Sequence, residues 1–491
     1  MSTTAAAFRN GVLERRFRFA EHGTTLARDT MAGVTTFIVM SYIIFLNPII
    51  LTSVKPKVGL PLPFEGVVTA TCVVAAVMTI LMGLYTNKAF ALAPGLGINA
   101  IIAFQLVGQQ GLSFPSAMGL IVLEGLVVTA LVLTGAREAI MKAIPLQLKK
   151  AIAIGIGLFI AFIGLYNSGI VVPGSGEPVT LGRFTTWPIF VAFVGIVLTL
   201  ALRARGFKGD LLVGIIGTTV VATIVNSATS HKAFGTSTAT WPGWSHIAGW
   251  GNWSLFGNFD FHAFSKLGVV SALVWVFALF LSDFFDTMGT LVGVGKPAGY
   301  LNPQGEFTDI RKPLLVDSLA AIAGGVSSTS SATTYIESGS GVAAGGRTGW
   351  VAVVCGALFL PFLFFAPLIG MVPAQATAAA LIIVGYLMVS VLTEGEDEAE
   401  AEEGLAARGG VKLAGIDFHD LAIGLPAALV IMLMPFSYSI TNGIGFGFIA
   451  YVLIRASQGR FRDVHPLMWL ISGAFALYFL VPLLQDHVSW I

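Results

Sequence analysis

The sequence predicts an all-α polytopic membrane protein of fourteen segments, with an interrupted segment in each half of the chain. Three observations carry this expectation. Of 491 residues, 55% are hydrophobic and only 11% charged. Soluble domains carry about 25% charged residues, so the deficit is too large for one or two anchoring helices. Apolar runs long enough to cross a bilayer recur from one end of the chain to the other. A formal net charge of +1 gives no bulk attraction to nucleic acid, and none is expected as a partner. Cys72 and Cys355 both sit in apolar runs and read as small hydrophobes, not as a disulfide or metal site. The Arg-rich start of the chain precedes a first run with no small-residue cleavage site, so no removable signal peptide is expected.

In chain order the clear apolar segments are 30–52, 66–85, 116–135, 151–172, 187–204, 210–226, 268–293, 349–372, 376–393, 418–436, 439–457 and 467–486. Three stretches, 88–106, 314–326 and 330–346, read as too short or too broken for ordinary spans, being rich in Gly, Ser, Thr, Asn and Pro. In hydrocarbon, irregular backbone persists only where protein or a water-filled cavity covers it. Interrupted segments in corresponding places of two halves point to a transporter's binding site. The run 467–486 is left open by the sequence: it either crosses or lies against the bundle.

Basic residues orient the chain. With the N-terminus inside and fourteen crossings, only Lys55, Lys57, Arg183, Lys232 and Lys266 of the 27 Lys and Arg fall outside. Inner clusters include Arg9, Arg15, Arg16, Arg18 and Arg28, then Arg137, Lys142, Lys149 and Lys150, then Arg203, Arg205 and Lys208, and finally Arg455, Arg460 and Arg462. That asymmetry supports a multi-pass protein with a cytoplasmic N-terminus. Residues 227–267 hold Trp241, Trp244, Trp250 and Trp253, which suits an outer segment at headgroup depth. The acidic inner run 394–403 (EGEDEAEAEE) reads as a solvated loop.

Ionisable groups inside spans are expensive and therefore mark function. The candidates are Glu124, Asp283, Asp286, Asp317 and Glu337, all acids, while Lys, Arg and His keep to loops and span ends. Such a site favours a cation or a neutral molecule offering N–H donors. A proton would ride on a buried carboxylate, because burial disfavours the charged form. Asp283, Asp286 and Thr290 fall at i, i+3 and i+7 in LSDFFDTMGT, on one helical face. SSTSSATTYIESGSG (327–341) leads into a short helix with Glu337 in its first turns. Ala93 to Asn99 (APGLGIN) does the same in the first half, where Asn99 either meets a ligand or caps the broken backbone. Glu124 and Asp317 are better placed to bond Ser or Thr across helix interfaces. Arg347, in GGRTG, is expected to pair with an acid or a helix end. No metal-ligand cluster or nucleophile–base pair stands out, so no enzyme, cofactor or metal is expected. A channel remains an alternative, as does an anion exchanger.

Seven stretches, in order, resemble one family: TTFIVMSYIIFLNPIIL (35–51), NKAFALAPGLGINA (87–100), IGIGLFIAFIGL (154–165), DFFDTMGTLVGV (283–294), TTYIESGSGVAAGGRTG (333–349), PLIGMVPAQATAAALIIVG (367–385) and MPFSYSITNGIGFGF (434–448). They resemble the AzgA-like hypoxanthine/guanine/adenine permeases, a branch of the nucleobase–cation symporter and xanthine/uracil permease superfamily.

That resemblance implies two inverted repeats of seven segments, with short strands running into half-helices in segments three and ten. A core domain would comprise 30–135 and 268–372, and a gate domain 148–226 and 376–457, the latter with an acidic inner loop at 394–415. Residues 1–29 would form a cytoplasmic tail, 227–267 an outer loop and 458–491 a C-terminal segment. The resemblance also implies proton-coupled purine uptake at the cell membrane by alternating access, and a homodimer through the gate domain. Asp286 would be the acid of the eighth segment, with Thr290 one turn on where uracil and xanthine carriers have His. Glu337 would be the acid of the tenth and Asn99 the polar residue of the third. Glu337 and Asp286 would accept ring N–H groups of a purine, and Asn99 with backbone amides near Gly97 and Tyr335 would read the remaining edge. Asp286, Glu337 and Asp283 would be the proton-coupling candidates.

Overall fold

A computed structural model describes residues 11–135, 143–235, 238–295, 297–301, 307, 309–391, 412–413 and 416–487. The acidic inner loop expected at 394–415 lies outside the described residues apart from 412–413, as do Arg9, Arg137 and Lys142. Among the described residues eight helices are long and apolar enough to cross a membrane, and there are shorter apolar helices besides.

The first half runs through α1 (Leu26–Met40), α2 (Ile43–Thr52), α3 (Phe64–Thr86), β1 (Leu92–Pro94), α4 (Leu96–Ala100) and α5 (Phe114–Thr134). It continues through α6 (Leu146–Asn167), α7 (Trp187–Ala204) and α8 (Asp210–Ala228). Past Ala100, α4 continues as a π-helix over Ile101–Gln109. The second half runs through α9 (Val269–Gly295), α10 (Arg311–Val326), β2 (Ala332–Thr334), α11 (Ser338–Ala343) and α12 (Trp350–Phe359). Then come α13 (Ala374–Val391), α14 (Leu421–Phe436), α15 (Ile440–Ser457) and α16 (Pro466–His487). Helix starts carry their caps: Thr25, Ser113, Asp420 and Ser439 each accept a first-turn backbone N–H with a side-chain oxygen.

The helices sort into two bundles. The core packs α5 on α10, α3 on α12 and α1 on α12, while the gate packs α6 on α13 and α14 on α6 and α15. The α6–α13 contact depends on glycine. A Cβ on Gly385 would stand 2.3 Å from the carbonyl oxygen of Gly157, and one on Gly157 2.7 Å from that of Gly385. Backbones this close leave no room for a side chain.

Two of the three expected interruptions are present. β1 and β2 pair antiparallel deep in the core, with Leu92 opposite Thr334, Ala93 opposite Thr333 and Pro94 opposite Ala332. Strands in a membrane must satisfy their edges internally, and side chains do this here. The Thr79 hydroxyl serves both the N–H and the carbonyl of Leu92 (2.9 Å each). Ser338 Oγ accepts from the Ala91 amide (2.9 Å) and Asp317 Oδ1 from the Thr334 amide (3.1 Å). The third stretch, 314–326, expected to be too short or too broken for an ordinary span, is short but unbroken: it lies within the 16-residue α10. The first span, expected to be continuous over 30–52, runs as one span over Leu26–Thr52, with a one-turn irregularity at Ser41 and Tyr42, both still right-handed helical, between α1 and α2.

The stretch 467–486 forms a full helix. α16 lies antiparallel to α15, with Phe475 against Phe448, Phe479 against Phe446, and Ser472 Oγ donating to the Phe448 carbonyl (3.1 Å). It also reaches the core, where Tyr478 meets Trp275 edge-on.

Candidate functional site

Each strand runs straight into a short helix. Pro94 and Gly95 end β1, and Gly95 caps α4; Glu337 stands at the cap of α11 after β2. The first amides of a helix have no partner within it, and in α4 these are the amides of Leu96 and Gly97. α9 passes beside this junction. Asp286 Oδ2 lies 3.6 Å from where a Cβ on Gly95 would sit, which places the carboxylate against the β1–α4 turn.

Between the two bundles lies a cavity of about 80 Å³, room for several waters at about 10–15 Å³ each. The core supplies Tyr42, Gly97, Asp286, Thr290, Tyr335 and Glu337 to its wall, together with Phe285 and Leu96. The gate supplies an apolar side of Ala153, Ile156 and Ile160 from α6, and Val384 and Met388 from α13. No Lys, Arg or His stands in the wall among the described residues. The arrangement offers carboxylate acceptors over a mostly apolar floor, suited to a compact, flat ligand that donates hydrogen bonds.

Five of the six residues named for substrate contact from the sequence line this cavity: Glu337, Asp286, Gly97, Tyr335 and Thr290. Asn99 does not. It is fully buried behind the wall, and neither its Oδ1 nor its Nδ2 has a hydrogen-bond partner among the described residues. The Tyr335 amide, expected to read a ligand, is committed to strand pairing and donates to the Ala91 carbonyl (2.9 Å). Its hydroxyl donates to the Pro94 carbonyl (2.5 Å) and ties the two broken segments together. Asp283 lies one turn before Asp286, fully buried, and accepts from Ser331 Oγ at 3.3 Å outside the cavity wall. Asp317 accepts from Thr287 Oγ1 (2.8 Å) across the α9–α10 interface, as expected of a bonded interface acid.

Two features escaped the sequence. Tyr42, at the turn between α1 and α2, donates a hydrogen bond from Oη to Glu337 Oε1. Asp29, assigned to the tail before the first span, is fully buried in the first turn of α1. It accepts from Thr24 Oγ1 (2.6 Å), from the Arg347 and Thr348 amides (3.2 and 3.0 Å) and from Thr348 Oγ1 (2.5 Å). The Arg347 side chain closes the end of α11 through the Val342 and Gly346 carbonyls (2.7 Å each). That is the helix-end role the sequence offered for it.

Apart from the cavity wall, a cluster of aromatic rings joins core and gate. Tyr438, in the turn between α14 and α15, is ringed by Phe104 of the core and by Phe159, Phe162 and Tyr166 of the gate. Gln105 of the π-helix donates to the Tyr438 carbonyl (3.4 Å) and accepts from Ser439 Oγ (3.2 Å).

A family profile described as Permease family (Xan_ur_permease) matches residues 28–398, which includes both broken segments and every wall residue named above. The chain belongs to the Permease family. This permease is therefore a transporter rather than an enzyme, embedded as a multi-pass membrane protein. It is similar to the adenine permease AdeQ of Escherichia coli, with 35% identity over 470 residues, covering 95% of this chain and 96% of that one. It is also similar to the guanine/hypoxanthine permease PbuG of Bacillus subtilis, with 36% identity over 469 residues, 94% of this chain and 98% of that one. Among solved structures, the transmembrane domain of the cyanobacterial bicarbonate transporter BicA shares the fold of this permease. The TM-score is 0.57 at 15% identity, over 86% of this chain and 96% of that one. The architecture of two seven-segment inverted repeats, split into core and gate, is thus common to both.

Proposed function

We propose that this permease carries purine nucleobases (hypoxanthine, guanine or adenine) inward together with protons, by alternating access. One observation carries the proposal: two carboxylates, Glu337 and Asp286, face one cavity whose wall holds no base among the described residues. Purine rings present N–H donors along a flat edge. Carboxylates accept such bonds, and charge-assisted ones are roughly twice as strong as neutral ones. The similarity to an adenine permease and a guanine/hypoxanthine permease over nearly the whole chain points the same way.

In this proposal the purine lies between the apolar gate wall and the core. Glu337 and Asp286 accept its N–H groups, and Thr290 and the Gly97 amide meet its remaining edge. One carboxylate takes a proton on the outer side. A loaded, neutral site moves through the low-dielectric interior more cheaply than an empty charged one, which links the proton gradient to uptake. The core then shifts against the gate, and the Tyr438 ring cluster closes the outer path. The N-terminal face is cytoplasmic in this proposal, the membrane is the plasma membrane, and two copies pair through their gates.

Anion exchange, as on the BicA fold, is disfavoured because the cavity wall is acidic. The test is uptake of labelled hypoxanthine, guanine and adenine by cells lacking their own purine carriers and expressing this chain. Saturable uptake of at least one is expected. No uptake of any, with the protein present in the membrane, would overturn the proposal.

A further inference from the structure

We infer that Tyr42 is a positioning and specificity-determining residue, which holds the Glu337 carboxylate so that only one oxygen is offered to the ligand. This rests on the assignment of Glu337 as an acceptor for a purine N–H. Tyr42 sits at the junction of α1 and α2, where the first span stays right-handed helical but tightens for a turn. There a tyrosine from the first span meets an acid of the tenth. Tyr42 is 1% exposed and lines the same cavity as Glu337. Its hydroxyl donates to Oε1, a bond between groups 295 positions apart in the chain.

A carboxylate has two oxygens and roughly four acceptor sites. Unanchored at the end of a flexible side chain, it would accept N–H donors from a range of directions. Two ties fix it here. The backbone at Glu337 is held by Ser340 Oγ, which donates to the Glu337 carbonyl (2.7 Å). The head is held by Tyr42. The second oxygen, Oε2, is then the one left to a ligand in the cavity whose wall Glu337 shares with Asp286 and Thr290. A fixed acceptor discriminates between ligands that do and do not place a donor there, because a buried acceptor left unpaired is costly.

Removing the Tyr42 hydroxyl should therefore change which ligands bind, beyond how well any one binds. Phe keeps the ring that fills the cavity wall, so Tyr42→Phe isolates the hydroxyl. The test measures dissociation constants on purified protein for hypoxanthine and for its singly N-methylated analogues, in wild type and in Tyr42→Phe. In wild type, the analogue whose methyl replaces the N–H facing Glu337 should bind worst. In Tyr42→Phe, the parent purine should bind about tenfold more weakly, the loss expected for one hydrogen bond to a charged group. The worst-binding analogue, which makes no bond to Glu337, should change by less than about twofold, so discrimination falls. Unfolding temperatures are recorded alongside.

Equal weakening of parent and analogue would make Tyr42 a purely structural residue and overturn the inference, as would unchanged binding of both. The purine assignment fails separately, and visibly, if wild type itself binds neither parent nor analogue, or binds all alike.

Discussion

Replacing Glu337 with Gln gives the most direct view of how the proposed site works. The side chain keeps its length, and the backbone tie from Ser340 Oγ is untouched. Tyr42 Oη can still donate to the remaining carbonyl oxygen, as it does to Oε1 in the native chain. What changes is the oxygen facing the cavity, which becomes an NH₂ group. A ligand N–H then meets a donor instead of an acceptor. A hydrogen bond to a charged group contributes about 1.5–3 kcal/mol. At about 1.4 kcal/mol per factor of ten, binding should weaken by about 10- to 150-fold, and uptake at low purine concentration should nearly vanish. The assay is equilibrium binding of labelled purine to purified protein, with membrane abundance measured in parallel. Affinity within twofold of wild type, in a well-expressed mutant, would refute the role given to Glu337.

Four further outcomes are expected. Asp286→Asn should weaken purine binding and purine-driven proton influx in sealed vesicles, whereas Asp283→Asn should do less, because Asp286 faces the cavity and Asp283 bonds to Ser331 behind it; the reverse pattern would exchange their roles. Bicarbonate, sulfate and chloride should be neither carried nor competitive, since no base lines the cavity among the described residues; saturable anion flux by purified protein would contradict this. Gly385→Val should lower the unfolding temperature, because its Cβ meets the Gly157 carbonyl oxygen at 2.3 Å and overpacking costs about 1–3 kcal/mol; an unchanged thermal transition would count against the close α6–α13 contact. Asp29→Ala should also destabilise, by about 1–3 kcal/mol for each buried amide it strands, visible as a lower transition temperature and refuted by a wild-type one.

Much of this was legible in the sequence, and the reasons are physical. Pro94 with Gly95, and the Ser/Thr run before Thr334, cannot continue a helix in hydrocarbon without cover, so the two crossing points announced themselves. The spacing of Asp283, Asp286 and Thr290 placed them on one face of α9, but spacing alone does not say which of them the cavity reaches. At 314–326 the sequence left open whether the stretch was short or broken, and it is short. There the small residues serve close packing inside a regular helix: a Cβ on Gly325 would stand 2.8 Å from Val122 Cγ2, and one on Gly324 1.8 Å from the Ser330 carbonyl oxygen. Composition alone does not separate a helix thinned for packing from one that is broken. Tyr42 escaped because a tyrosine within an apolar run carries no burial penalty large enough to notice, and its partner is in the other half of the chain. Asp29 escaped because it precedes the apolar run, although an acid in a helix's first turn is favoured there. The gate side of the cavity is apolar throughout and gave no polar signal at all.

The central claim is coupled, concentrative transport of a purine. It is tested most directly by loading purified protein into sealed vesicles and imposing an inward proton gradient with labelled hypoxanthine, guanine or adenine outside. Accumulation above the external concentration, lost on adding a protonophore, is the expected result. Equilibration to the external concentration and no further, indifferent to the protonophore, would contradict coupled transport and favour a passive pore.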